Sequence, residues 1–482
     1  MNIKSPNPLV EHLPVWSDLE ALFEQLKFAP IDHEKVCKYD LIDRVVKLDS
    51  SDRPFQPTEK SLKVAVSIGA MIRGGYEARN PLNPENRMKI LNLSNDVFTS
   101  VKKLPKRLFG KISVFVLKGV TGTGKTIMLK RILSLLPEGL VHGENQAAGW
   151  QRLTQIIYLY VEMPGEGSRG GLIQAILEAI DRVLETKYAI DLPKQIRSID
   201  RLEVKTISLL HTFYTGLLVI DELQIRNIVE SPQSKVMQLF LLSIINTGIP
   251  VVLSGNTKGF EWIEKLSQDV TRIYSAPPVI LHPFPSPEES DEWDFIFNST
   301  CSFYVLKRQS NDEVMSKLLW AVSGGIPRIA INIWIEAQKN RLYKKDNNQL
   351  QLKDLIDVYE SEGLEKIRKI AKGFAMKDPI LLKEFSDIPW KDYGKKWGKL
   401  GAQNIESEVA ADNSVNQSVN DLEDTAKGRK VSEKSKMKSK QTRKKNKERQ
   451  RSKVKKNLSP SDLRGKDDGL TQVLLDGLAG VV

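Results

Sequence analysis

The stretch Gly119-Val120-Thr121-Gly122-Thr123-Gly124-Lys125-Thr126 constrains this chain more than any other. It fits the pattern G-x-x-x-x-G-K-[ST]. An apolar, β-branched run precedes it at 112–117, and a run with helical spacing follows at 127–136, ended by Pro137. A strand that launches a glycine-rich turn into a helix is an α/β unit. The glycines let backbone N–H groups converge on phosphate oxygens, and the helix adds its positive end. Lys125 is therefore expected to reach the β- and γ-phosphates of ATP. The Thr126 hydroxyl is expected to bind Mg2+, and the rest of the loop to cradle the phosphates.

The pattern beyond it supports a parallel sheet. Short buried strands are expected at 156–161, 217–220, 249–253 and 279–281. Helical patterns at 172–184 and 236–246 separate most of them. Continuous apolar strands alternating with helices imply a sheet covered on both faces. Ahead of this core, 61–72 reads as a buried helix that stops at the turn Arg73-Gly74-Gly75-Tyr76. After about residue 300 the reading is mostly helical, with helices expected at 312–322, 329–341 and 352–371.

The run Leu217-Leu218-Val219-Ile220-Asp221-Glu222 ends an apolar strand in two carboxylates, about a hundred residues beyond the glycine loop. Asp221 is expected to hold Mg2+ through water, and Glu222 to polarise the attacking water. Gln224 just beyond is read as a surface residue or as an aid in sensing the γ-phosphate. The strand at 249–253 runs into Ser254, Gly255 and Asn256. Strand C-termini line the ligand crevice of a parallel sheet, so Asn256 is the candidate contact to the γ-phosphate or the lytic water. Arg328, in Gly324-Gly325-Ile326-Pro327-Arg328, opens a helix and is expected to reach back to the phosphates. Arg272 is placed to meet a neighbouring subunit's nucleotide, where a trans arginine stabilises the transferring phosphoryl group. The loop 164–171 carries one cation, Arg169, and is read either as an approach to DNA or as a plain loop.

Charge needs locating before it is used. Residues 427–456 hold 16 Lys or Arg against Glu433 and Glu448, a net of +14, so the chain's +12 leaves the remainder close to neutral. Such a run attracts polyanions without reading sequence. Nucleic acid is the expected partner, and a solubilising linker is the alternative. Lys102, Lys103, Lys106 and Arg107 form a smaller basic cluster. The apolar end at 470–482 reads as a peptide that docks on a partner or as a helix folded back. Two cysteines far apart suit a reducing cytoplasm, and no run reaches the length of a membrane span.

Taken in order, the glycine loop, the Asp-Glu strand end, the polar strand end, Arg272 and the Gly-x-Pro-Arg helix resemble an AAA+ ATPase over about 95–375. The segment Val66-Ser67-Ile68-Gly69-Ala70-Met71-Ile72-Arg73-Gly74-Gly75-Tyr76 with Arg79-Asn80-Pro81 is similar to the TnsC family. The block 217–224, the basic arm and the terminal apolar peptide resemble that family too. Its members regulate target selection in cut-and-paste DNA transposons. The resemblance implies a P-loop AAA+ core with a parallel sheet flanked by helices, followed by a small helical lid and a disordered basic tail. It implies an N-terminal partner-binding region at 1–95, the nucleotide-binding core at 96–300 and the lid at 301–375. A linker and basic arm at 376–459 and a docking peptide at 460–482 follow. It further implies a Mg2+-dependent ATPase that forms a homo-oligomeric ring or filament on duplex DNA. The partners would be a target-site selection protein and transposase subunits, with no membrane. Two other readings share parts of the pattern: an initiator or helicase-loader ATPase, and a nucleotide-gated scaffold of the STAND type.

Overall fold

The computed structural model describes residues 6–16, 18–50, 52–94, 108–109, 113–264, 270–271, 273–274, 276–307, 313–344 and 349–399. The chain divides into two units, Met1–Trp390 and Lys391–Val482. In the second unit the description is limited to 391–399, where the Tyr393 and Trp397 rings lie 5.2 Å apart. Arg272, the cluster at 102–107, the basic arm and the terminal peptide all lie outside the described residues.

The first unit is built on a five-stranded sheet in the order β4-β5-β6-β1-β7, with every pairing parallel. Its strands are β1 (Val114–Gly119), β4 (Tyr158–Glu162), β5 (Leu217–Leu223), β6 (Val251–Gly255) and β7 (Val279–Leu281). Between β1 and β4 in sequence, β2 (Gly139–His142) and β3 (Leu153–Ile156) form a separate antiparallel pair. All residues of β1 and β6 are buried. That burial explains why these strands read as unbroken apolar runs, since both sheet faces are covered. Residues 156–161, expected as one strand, divide at Ile157 into the end of β3 and most of β4. Ile157 donates instead to Glu138 O at 2.8 Å, which lies outside both ladders.

Helices cover the sheet. We number those used below α1 (Glu59–Ala78), α2 (Lys125–Leu133), α3 (Arg169–Leu184), α4 (Ile199–Thr212), α5 (Ser234–Asn246), α6 (Glu313–Ser323), α7 (Pro327–Leu342), α8 (Leu352–Tyr359), α9 (Glu365–Ala375) and α10 (Pro379–Leu382). Apolar residues of α1 (Ile68, Ile72), α3 (Ile173, Ile176) and α5 (Phe240, Ile244) join β1, β5 and β6 in one core. No single described helix is long and apolar enough to cross a membrane.

Two expectations for helices fail for local reasons. The helix expected to stop at Ile72 continues to Ala78, through Gly74 and Gly75. Gly75 serves packing: a Cβ there would lie 2.5 Å from Pro250 Cγ, so the helix can approach the sheet only without one. Tyr76 is fully buried and donates its hydroxyl to Ile156 O at 3.1 Å, which fixes α1 against the strand edge. The helix expected at 352–371 is two helices, α8 and α9. The intervening Ser361-Glu362-Gly363 breaks the run, and Gly weakens a helix by about 1 kcal/mol.

Candidate active site

The loop after β1 opens into α2 with Gly122 at φ 87° and Gly124 at φ 95°. Side chains rarely adopt that region, so glycine at these two positions permits the turn. Lys125 is buried and donates Nζ to Gly119 O at 2.9 Å and Val120 O at 3.0 Å, folding back over its own loop. Burial pushes its ammonium down to about 8, against the opposing pull of Asp221, Glu222 and Asp387. Thr123 is buried and bonds back to Val120 O at 2.8 Å, while Thr121 is exposed.

Asp221 and Glu222 stand at the C-terminal end of β5, beside the loop. The β5–β6 register shifts between Ile220 and Leu223, so the chain bulges where the two carboxylates sit. Bulges of this kind re-aim side chains next to sites. Glu222 accordingly has φ 60°, a strained conformation for a residue with a Cβ. Asp221 is buried. It accepts from Thr126 Oγ1 at 2.7 Å and from Tyr160 OH at 2.8 Å on one oxygen, and from Glu222 N at 2.8 Å on the other. Burial and the Asp221 charge hold the Tyr160 hydroxyl in its protonated form, well above the usual phenol range.

Glu222 is held by a short relay. Gln224 Nε2 donates to Glu222 Oε2 at 2.6 Å, and Arg226 Nε donates to Gln224 Oε1 at 2.8 Å. A turn of π-helix, Ile225–Val229, follows at once, and its Asn227 Nδ2 bonds Glu222 O at 2.9 Å. Gln224 therefore touches the second carboxylate rather than standing apart on the surface.

Asn256, buried just beyond β6, accepts from Thr121 Oγ1 at 3.1 Å. Gly119, Val120, Thr121, Gly122, Thr123, Gly124, Lys125, Thr126, Asp221, Glu222 and Asn256 thus share one end of the sheet. Arg328 lies against the loop, with its Cβ and Cδ beside Gly122. Its backbone N–H bonds Gly122 O at 3.1 Å, so the start of α7 rests on the loop, while its side chain is exposed. Arg169 is not a free cation on a loop. It opens α3 and pairs with Asp200 at 2.8 Å and with buried Glu203 at 2.9 Å.

Sequence reasoning missed Tyr160 and Asp387. Both contact the site from elements with no motif of their own, and Tyr160 reads simply as a strand residue.

The two oxygens Thr126 Oγ1 and Asp221 Oδ2 are a hard-donor pair that suits Mg2+. That ion is commonly bound by one or two carboxylates together with substrate phosphates and water. No group of three or more His, Cys, Asp or Glu that could hold a metal ion occurs among the described residues. The arrangement offers an anion cradle, a cation site and a carboxylate able to orient water.

Residues 111–263, about a third of the chain, match the AAA domain family. Comparison with curated proteins gave no match. Among solved structures, the Aeropyrum pernix ORC2 protein (ADPNP-ADP complexes) is similar at 13% identity and TM-score 0.40, covering 76% of this chain and 88% of that one. Drosophila ORC bound to DNA is similar at 14% identity and TM-score 0.36, covering 80% and 86%. The Thermotoga maritima RuvB Holliday junction branch migration motor is similar at 15% identity and TM-score 0.30, covering 66% and 82%. Likeness this distant assigns neither substrate nor partner. The matched domain, the parallel five-stranded sheet, the phosphate loop after β1 and the helices that follow make this an AAA+ P-loop fold.

Proposed function

We propose that this protein is a Mg2+-dependent ATPase that assembles on target DNA and regulates transposition in the manner of the TnsC family. The observation that carries the ATPase reading is the convergence of Lys125, Thr126, Asp221, Glu222 and Asn256 at one sheet end. Lys125 and the loop amides hold the phosphates. Thr126 and Asp221 hold Mg2+, which supplies charge neutralisation to the phosphoryl group. Glu222 orients the attacking water once Gln224 releases it, and Asn256 faces the terminal phosphate. Arg272 of a neighbouring subunit completes the site, so that hydrolysis reports assembly. Arg328 reaches back from the lid to the phosphates, and its backbone bond to Gly122 O ties the lid to the loop.

The transposition reading rests on the 66–81 segment, on the 217–224 block and on the basic arm at 427–456 with its apolar terminus. DNA is held through phosphates with little base readout, as suits a regulator that serves many targets. A target-site selection protein recruits the oligomer, and transposase subunits meet its terminal region, in a reducing cytoplasm.

The test is sedimentation of the full chain with random-sequence duplex DNA, in ATP, ADP or a non-hydrolysable ATP analogue. Large DNA-bound assemblies with ATP and the analogue, and not with ADP, support the reading. Assembly that ignores DNA favours the STAND-type scaffold. DNA-bound assemblies that leave transposase inactive favour an initiator or helicase loader.

A further inference from the structure

The end of the helical region returns a carboxylate to the phosphate loop. After α10 the chain turns back at Phe385, pinned by buried Leu382 and Ile388, and presents half-buried Asp387. Its Oδ2 accepts from Thr121 Oγ1 at 3.2 Å and from Asn256 Nδ2 at 3.3 Å. The Thr121 hydroxyl has one proton, which it divides between Asp387 and Asn256. The carboxylate is also close enough to pull on the Lys125 ammonium, as a bound phosphate would. An internal anion therefore sits among the groups that face a terminal phosphate.

We propose that Asp387 makes the site discriminate between triphosphate and diphosphate. A γ-phosphate and this carboxylate carry the same sign and compete for Thr121 and Asn256, so both cannot keep those partners. A diphosphate, lacking the third group, leaves Asp387 where it is. ATP displaces it, and the segment 383–390 moves away from the loop. Nucleotide state is thereby reported to the end of the helical region, from which the chain runs on toward the basic arm. The inference rests on the nucleotide reading of the loop.

The test is equilibrium binding of ADP and of a non-hydrolysable ATP analogue to the full chain, comparing wild type with Asp387→Asn. The substitution keeps the shape and removes the charge. The analogue is expected to bind about tenfold or more tighter, while ADP affinity changes by less than about twofold. An equal change for both nucleotides, no change, or weaker analogue binding overturns the proposal. Wild-type protein that binds neither nucleotide overturns the ATPase reading instead. A second measurement needs no variant. Hydrogen exchange of the Phe385 and Ile388 amides, which now bond Leu382 O and Phe385 O at 3.2 Å each, should speed up with the analogue and not with ADP. Equal exchange in both states overturns the displacement.

Discussion

Thr126 Oγ1 donates to Asp221 Oδ2 across 2.7 Å, joining the first turn of α2 to the end of β5. This contact brings two distant motifs to one point, where the proposed function puts the cation. Thr126→Val and Asp221→Asn should each weaken Mg2+-dependent ATP binding by about 10–100-fold. Titration of Mg2+ at fixed nucleotide checks this, and an unchanged Mg2+ midpoint would contradict it.

Glu222→Gln should keep ATP binding and lower hydrolysis by about 10²–10⁴-fold, trapping assemblies on DNA. Phosphate release under saturating ATP measures it, and normal turnover would remove Glu222 from its assigned role.

Glu222 also stores backbone strain at φ 60°. Glu222→Gly should abolish hydrolysis yet raise stability by about 0.5–1 kcal/mol. Chemical denaturation without nucleotide decides this. A less stable variant would mean that the Gln224 bond outweighs the strain.

Lys125 gives a pH signature. With its ammonium lowered to about 8 in the free site, the group is half neutral at pH 8, and bound phosphate restores the charge. ATP binding should therefore take up protons above about pH 8, and affinity should fall by up to about tenfold per pH unit there. Calorimetry in two buffers of different ionisation heat reads the uptake. Proton release on binding would reverse the sign and refute it.

Gly75→Ala should destabilise the fold by about 1–3 kcal/mol, because the added methyl meets Pro250. Thermal melting, with nucleotide affinity as a control, tests it. Lost ATP affinity at full stability would place α1 in the site rather than behind it.

The sequence by itself determined the phosphate loop, the Asp221-Glu222 strand end and the parallel sheet. Each depends on local order: glycines at fixed spacing, and apolar runs long enough for one strand. Tertiary structure decided what distance along the chain conceals. The bulge at Ile220 that turns Glu222 outward comes from pairing with β6. The passage of α1 through Gly74 and Gly75 comes from packing on Pro250, against glycine's own tendency to end helices. Tyr160 reaches Asp221 because β4 lies beside β5, and Asp387 reaches Thr121 across 266 residues of chain. A lone Tyr or Asp has no pattern to announce it, because a single polar side chain acquires its role only from the groups that folding sets within hydrogen-bond reach.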